Sequence, residues 1–386
     1  MSFLGTLASS FKGGGDGRVP LSRGFVSPWA LALGSNHGFG RGFEYAEAVR
    51  QGYLANPIAQ RAVRIVAEGI AGAPLASGDE RLEKLVTATS AGQPLIETLA
   101  AQLLLHGNAY VQIIKDGAGQ PVELFALRPE RMSVMAGSDG WPSGYEYTVG
   151  TGKLPIPLED ENGWPEIIHI KAMHPADDHY GAGALVAADQ AIAVHNAALR
   201  WNRALLENAA RPSGALTYES PDGSGLTAEQ FERLKSELAS AFSGHENAGR
   251  PMLLDGGLSW QSMALSPSDM DFAELKSAAA RDIALAFSVP PMLLGLPGDN
   301  TYANYREANR ALWRLTLLPL ANKLLGALRE GLEPWFNQAR LQVDLDRVTA
   351  LSEDRERLWK QVSEADFLTT AEKRAMLGLA PEGDIQ

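Results

Sequence analysis

Three histidines fall within eleven residues of this chain: His169, His174 and His179, in the stretch HIKAMHPADDHYGAG, with Asp177 and Asp178 between the last two. Imidazoles and carboxylates gathered in this way are the ligand types of a hydrolytic metal centre, where a bound cation activates water. A helical zinc motif places two histidines at i and i+4 with a Glu between them. Here the spacing is five, and Pro175 breaks any helix through it. His169 lies in IIHIK, which reads as a strand with Ile168 and Ile170 on the opposite face. His174 and His179 fall in a loop. A loop can converge ligands, so a metal-dependent hydrolase built on His169, His174, His179 and Asp177 or Asp178 stands as a second reading. The plainer one is a strand end, a loop and the start of a helix, with imidazoles at the surface.

Other chemistries find less support. The sequence has no G-x-S-x-G elbow, no H-E-x-x-H and no dinucleotide fingerprint. The glycine runs GGGDG (13–17) and GSNHGFGRG (34–42) lack the G-K-[ST] and the strand-then-helix frame of a phosphate loop. Glu159-Asp160-Glu161 reads as a solvated turn, and the charge run at 353–360 as a solvated helix face. No catalytic residue, metal ligand or cofactor is assigned.

The elements that position these residues are legible along the chain. Residues 1–45 hold ten glycines and read as an arm. Asn56-Pro57 opens a helix, with Ile58, Ala62, Val66 and Ile70 on one apolar face. A second helix spans Leu95–Leu105 and ends at His106-Gly107-Asn108. Strands follow at Tyr110–Lys115 and Val122–Leu127, and β-rich sequence continues to about residue 171. An Ala-rich helix then runs over Ala184–Ala209, ~39 Å at ~1.5 Å per residue. Leu185, Ile192, Leu199 and Leu206 recur along it at heptad spacing.

Residues 212–265 form a small β-α-β-β unit. Its helix carries a capping box, Thr227 to Gln230, and a staple, Leu226 with Phe231; its hairpin turns at Asp255-Gly256. The next helix, Met270–Phe287, carries Phe272, Leu275, Ala279, Ile283 and Phe287 on one face and stops at Val289-Pro290-Pro291. After a Gly/Asn loop, an amphipathic helix runs over Tyr305–Leu332 and is kinked at Pro319. Two short helices close the chain, the second opened by Thr369-Thr370-Ala371-Glu372 and ended at Gly378.

Composition bounds the function. The chain has 386 residues, 45% hydrophobic and 21% charged, which suits two or three packed units. It has no cysteine, which removes disulfides, thiolate metal sites and thiol nucleophiles. The net charge of −12 argues against tight nucleic-acid binding, though not against touching DNA without holding it. No apolar run approaches the ~20 residues of a membrane span. The start MSFLGTLASSFKGGG lacks a basic leading region and a cleavage motif, so no signal peptide is expected.

Four stretches in order carry a resemblance. LLLHGNAYVQIIKDGAGQPVELFALRPERMSV (103–134), IIHIKAMHPADDHYGAGAL (167–185), MDFAELKSAAARDIALAFSVPPMLLGL (270–296), and the Asn-bearing loop with its Pro-interrupted helix (300–332) resemble the portal proteins of tailed double-stranded DNA phages. The type is that of long-tailed siphophages, and the length is similar to portals of phage-derived gene transfer agents. The resemblance covers nearly the whole chain from residue 46.

It implies an α+β portal fold and a ring of twelve subunits at one capsid vertex, with no catalysis. Residues 1–45 would be an arm without a matching motif, 46–183 the first part of the wing, 184–211 and 267–290 the paired stem helices, and 212–266 the clip. Residues 291–304 would hold the tunnel loop, 305–350 the kinked helix and second part of the wing, and 351–386 a short crown. Double-stranded DNA would pass through the channel, past Asn300, Thr301 and Tyr302 at the loop tip and past Lys276, Arg200 and Arg203 on the stem. An inter-subunit ion pair is the plainer role for those three cations. Glu219, Asp222, Glu246 and Asp255 of the clip would face the head-tail adaptor and the large terminase. The major capsid protein would surround the ring, and no membrane is involved. The place would be the virion or phage-like particle, and the bacterial host cytoplasm during assembly. The histidine stretch becomes the strand and turn that launch the first stem helix. Acidic subunits suit a conduit, because duplex affinity comes from phosphate neutralisation.

Overall fold

Two residues decide where the first long helix begins. Asn56 is extended and its side-chain oxygen accepts the N–H groups of Ile58 and Ala59, while Pro57 takes the first helical position. In the computed structural model, which describes residues 44–207, 214–218, 227–242, 258–262, 272–296, 302–337 and 339–379, the chain enters through α1 (Tyr45–Ala48), which widens into a π-turn over Val49–Leu54. The helix that Asn56 caps is α2 (Pro57–Ala71). Strand β1 (Leu75–Ser77), α3 (Glu80–Thr87), short strands β2 (Thr89–Ser90) and β3 (Gln93–Pro94), and α4 (Leu95–Leu105) follow.

Next come β4 (Asn108–Lys115), β5 (Pro121–Leu127), β6 (Met132–Ala136), β7 (Pro142–Val149), β8 (Gly152–Pro157) and β9 (Ile167–Lys171). They form two antiparallel sheets, β5-β4-β9 and β6-β7-β8. Strand β4 is hydrophobic on both sides because it serves two cores. Ala109, Val111 and Ile113 enter the main core, while Tyr110 enters a second one with Leu127, Met132, Tyr145, Ile156 and Ile167. Facing strand β9 alternates in step: Ile168 and Ile170 join the main core, and His169 stands opposite Tyr110.

Helix α5 (Ala184–Glu207) leads to β10 (Gly214–Tyr218), α6 (Ala228–Phe242) and β11 (Leu258–Ser262). Strands β10 and β11 pair antiparallel, Gly214 opposite Ser262. The Thr227–Gln230 capping box forms, with Gln230 N–H donating to Thr227 Oγ1 and Thr227 N–H to Gln230 Oε1. Leu226 and the Asp255-Gly256 turn lie outside the described residues.

Helix α7 (Phe272–Ala286) packs along α5. Ala279, Ile283 and Phe287 are buried as the sequence predicts, but Leu275 points outward, 46% exposed. The reason is its place along the helix: Leu275 lies one turn before Ala279, the first buried residue of α7, so it shares that face but stands beyond the buried stretch. The helix ends in a Schellman motif: Val289 N–H reaches Ala284 and Ser288 N–H reaches Leu285. Ser288 takes the left-handed position, at φ 54°.

Helix α8 starts at Tyr302 and runs to Leu312, three residues earlier than the sequence pattern predicts. A π-turn over Trp313–Leu317 joins it to α9 (Leu318–Leu332). Here lies the effect of Pro319. It has no N–H to return to Leu315, so the turn before it widens and Leu318 N–H bonds Trp313 instead. Strand β12 (Leu341–Val343) pairs with β1, and α10 (Ser352–Ser363) and α11 (Thr370–Leu377) close the fold. The Thr369–Glu372 capping box and the left-handed Gly378 bound α11 as expected.

The main core gathers α2, α4 and α9 with β4, β9 and the near ends of α5 and α7. Leu185 and Ile192 enter it from the N-terminal half of α5, Ile283 and Phe287 from the C-terminal end of α7. The two helices therefore run antiparallel. No helix among the described residues is long and apolar enough to cross a membrane.

Candidate functional site: the root of the helix pair

The three histidines do not converge. No group of three or more His, Asp or Glu side chains among the described residues could hold a metal ion. His169 stacks on Tyr110, ring centroids 4.2 Å apart, and its Nε2 donates to Asn108 Oδ1 at 3.1 Å. Burial, with the nearby Lys171 charge, pushes its pKa down to about 3. His174 Nδ1 accepts the Ala176 N–H. His179 is buried, and its backbone N–H donates to Asp177 Oδ1. Asp177 also accepts the Tyr180 N–H, so this carboxylate shapes the loop. The Asp178 carbonyl accepts Lys171 Nζ.

What stands where a metal site was conceivable is a joint. Asn108, 1% exposed, is its hub. Its Oδ1 accepts Gly181 N–H (2.8 Å) and His169; its Nδ2 donates to the Gly181 carbonyl and to His106 Nδ1. The Gly181 N–H fixes which way the amide points. The loop lies directly on the α4–β4 turn: a Cβ on Gly107 would stand 2.5 Å from the backbone of Gly181, Ala182 and Gly183, and one on Gly183 would stand 2.5 Å from the Leu105 carbonyl. Gly107 also has φ +85°. Backbone against backbone leaves no room for a side chain, which explains the glycines of H-G-N and G-A-G.

A second buried network sits one helical stretch further along α5. The Nδ2 of Asn56 donates to Asn196 Oδ1 (2.8 Å) and lies 3.1 Å from His195 Nδ1; Asn196 Nδ2 donates to the Gln51 carbonyl. Since Asn56 Oδ1 is committed to the α2 N-terminus, its Nδ2 is the donor, and His195 Nδ1 must be the acceptor of a neutral ring. Burial first, then the Lys276 charge, lowers the His195 pKa. Lys276 is a half-buried group on α7. Arg200 and Arg203 lie on the exposed side of α5. Asn300 and Thr301 are outside the described residues, as are Glu219, Asp222, Glu246 and Asp255; Tyr302 begins α8.

Two ion clusters tie outer elements down. Lys115 bonds Asp160 (2.7 Å) and Glu166 (2.9 Å) beside Trp335. The Lys115 hydrogen bond, helped by the Trp164 N–H, holds Asp160 at about 2. So Asp160, expected in a solvated turn, is an anchoring carboxylate. Arg306 and Arg310 of α8 share Glu353 of α10, at 2.8 and 2.5 Å. Sequence reasoning missed these pairs because their members lie 43 to 51 positions apart. The signal for the His195-Asn196 network was two polar residues on the inward face of an Ala-rich helix.

These parts form no acid–base pair, nucleophile or oxyanion pocket. They root two antiparallel helices, joined in sequence by a small β-α-β unit, in an α+β body. The family model for phage portal proteins matches residues 57–378, most of the chain. This protein belongs to the phage portal protein family. A chain from the neck of a native gene transfer agent particle, solved with C12 symmetry, is 47% identical and has TM-score 0.68; the match covers 92% of this portal protein and 99% of that chain. An uncharacterized protein of Rickettsia felis is 38% identical over 344 residues, 86% of this chain and 88% of that one. A portal protein of the HK97 phage family from Corynebacterium diphtheriae, at 17% identity and TM-score 0.56, shares the fold over 78% of this chain and 94% of its own.

Proposed function

We propose that this portal protein forms a twelve-membered ring at one vertex of a phage-like particle and passes double-stranded DNA through its centre. The observation that carries this reading is the 47% identity, over 92% of the chain, to a subunit of a neck with C12 symmetry. In this reading residues 46–183 and 305–350 make the wing, α5 and α7 the stem, and the unit between them the clip. Residues 291–304 hold the tunnel loop and 351–386 a short crown. The clip docks the head-tail adaptor and, during filling, the large terminase, which supplies the ATP-driven motor. The protein itself is a structural conduit.

The acidic balance, −12 per chain, suits a channel that must not retain a polyanion. Asn300, Thr301 and Tyr302 approach the duplex from the loop tip, and Arg200 and Arg203 contribute weak contacts. The metal-hydrolase reading gains nothing from the geometry, since His169 and Asn108 form a joint and not a ligand set. The test is genetic: cells lacking this chain should yield no particles with nuclease-resistant DNA, and the intact chain supplied in trans should restore them. DNA-filled particles made without it would refute the conduit role.

A further inference from the structure

Both buried networks at the root of α5 end on an imidazole nitrogen that has to be bare. At the joint, Asn108 Oδ1 accepts the Gly181 N–H at 2.8 Å and His169 Nε2 at 3.1 Å. The Nδ2 of the same amide therefore faces the Gly181 carbonyl and His106 Nδ1, each at 3.2 Å. In the second network Asn56 Oδ1 holds the Ile58 and Ala59 N–H groups, and its Nδ2 faces Asn196 Oδ1 at 2.8 Å and His195 Nδ1 at 3.1 Å. An amide nitrogen only donates, so His106 Nδ1 and His195 Nδ1 both accept, which only a neutral ring can do.

Neither hub can adapt to a charged ring. A protonated Nδ1 carries a hydrogen that would meet the amide hydrogen head-on. Turning the Asn108 amide over would set its NH2 against the Gly181 N–H, and turning Asn56 over would set its NH2 against the Ile58 and Ala59 N–H groups. Asn56 and Asn108 are each 1% exposed and His195 3%, so water does not readily replace a bond broken there.

The groups around the rings are few. Lys276 of α7 is the charge that acts on His195, whose other polar neighbour is Asn56. His106 meets the Tyr45 ring of α1 at 4.8 Å, Glu130 of the turn Pro129–Arg131, and His169 of β9. Lys171 and His179 face His169 on the far side of the Asn108 hub. Of these only Glu130 favours a charged His106, and burial outweighs it, so both rings resist a proton more than a free imidazole does.

We propose that His106 and His195 make the root of α5 an acid-released lock. When the rings take up protons, the Asn108 amide loosens its hold on the Gly181 loop and the Asn56 amide its hold on α5, and the helix parts from the body while the apolar core stays folded. Above about pH 6.5 a free imidazole is neutral and the lock is closed; each pH unit below that favours the open form by up to about tenfold per ring. The lock lies within one chain and does not depend on the ring reading.

Amide hydrogen exchange on the intact native protein, read by mass spectrometry at about pH 7.5 and about pH 5.5 and corrected for intrinsic rates, tests the proposal. Peptides covering residues 51–59 and 180–196 should lose about tenfold or more of their protection at the lower pH, while those covering 95–105 and 321–328 in the core keep theirs. His106→Gln combined with His195→Gln offers each amide an oxygen that accepts and does not titrate, so the double variant should keep the root protected at both pH values. A loss at the root that persists in the folded double variant would overturn the proposal, because its source would be other groups. An even loss over root and core would overturn the lock in favour of acid unfolding of the whole chain. Unchanged protection of the root at about pH 5.5 would overturn it outright. The last two outcomes are read on the native protein, and so decide the matter even if the double variant does not fold.

Discussion

Asn56 and Asn196 meet through a buried 2.8 Å hydrogen bond, although 140 positions separate them. One end of that bond caps α2 and the other sits mid-way along α5, so the start of one helix fixes the course of the other. The same amide bonds His195, and Asn196 reaches on to the Gln51 carbonyl. Every polar atom of the two asparagine side chains has a partner, which is what lets them lie buried.

Removing Asn56 should therefore cost more than a cap. Asn56→Ala loses the acceptor for Ile58 and Ala59 and strands Asn196 and His195, for a loss of about 2–4 kcal/mol in urea unfolding. Asn56→Ser keeps the cap alone and should fall between it and the native protein. Equal stability of all three would show that the network contributes nothing.

The backbone joint should be less forgiving. Gly107→Ala places a Cβ 2.5 Å from three backbone atoms of residues 181–183, at a φ of +85°. Neither side can yield by rotating a side chain. The expected loss is at least about 3 kcal/mol, seen as insoluble expression or a large drop in the unfolding midpoint. A soluble, native-like Gly107→Ala would mean the loop can leave the α4–β4 turn.

Ser288 offers the opposite sign. It holds the left-handed position of a Schellman motif at φ 54°, and its side chain is exposed. Its carbonyl accepts Thr316 Oγ1 at 2.7 Å, a bond that any residue there retains. Ser288→Gly should stabilise the chain by about 1 kcal/mol, readable as a raised thermal midpoint. A lowered midpoint would contradict this reading of the helix end.

His169 gives a pH dependence with a definite sign. Its folded pKa is about 3, against an ordinary value near 6.5. Below that ordinary value the unfolded chain takes up a proton that the folded one refuses. Stability is full above pH 6.5 and falls as pH drops toward 3, at about 1.4 kcal/mol per unit. His106 and His195, also lowered, add to the slope in the same direction. His169→Gln should flatten the stability profile between pH 6.5 and 5 relative to the native chain; an unchanged slope would mean His169 is not the buried neutral ring described here.

Local signals were legible in the sequence, and long-range ones were not. Asn56-Pro57, the Leu95–Leu105 helix, the two capping boxes and Gly378 each depend on neighbours within a few residues. The portal motifs carried the family for the same reason: they are contiguous. Leu275 is exposed although its periodicity matches Ala279 and Ile283, because periodicity gives the face of a helix and not how far along it the core extends. The π-turn ahead of Pro319 was read as a plain kink, since the sequence marks the missing N–H but not how the turn before it adapts. Of the joint, the glycines were visible and their mutual contact was not, because Gly107 and Gly181 meet only once β4 and β9 have paired.

The central claim is a closed ring with a channel. The most direct measurement is the mass of the purified full-length protein at two concentrations, with negative-stain images of the same samples. The account predicts particles of about twelve subunits, each with a central hole wide enough for a DNA duplex, more abundant at the higher concentration. Assemblies of any size without a central channel would contradict it.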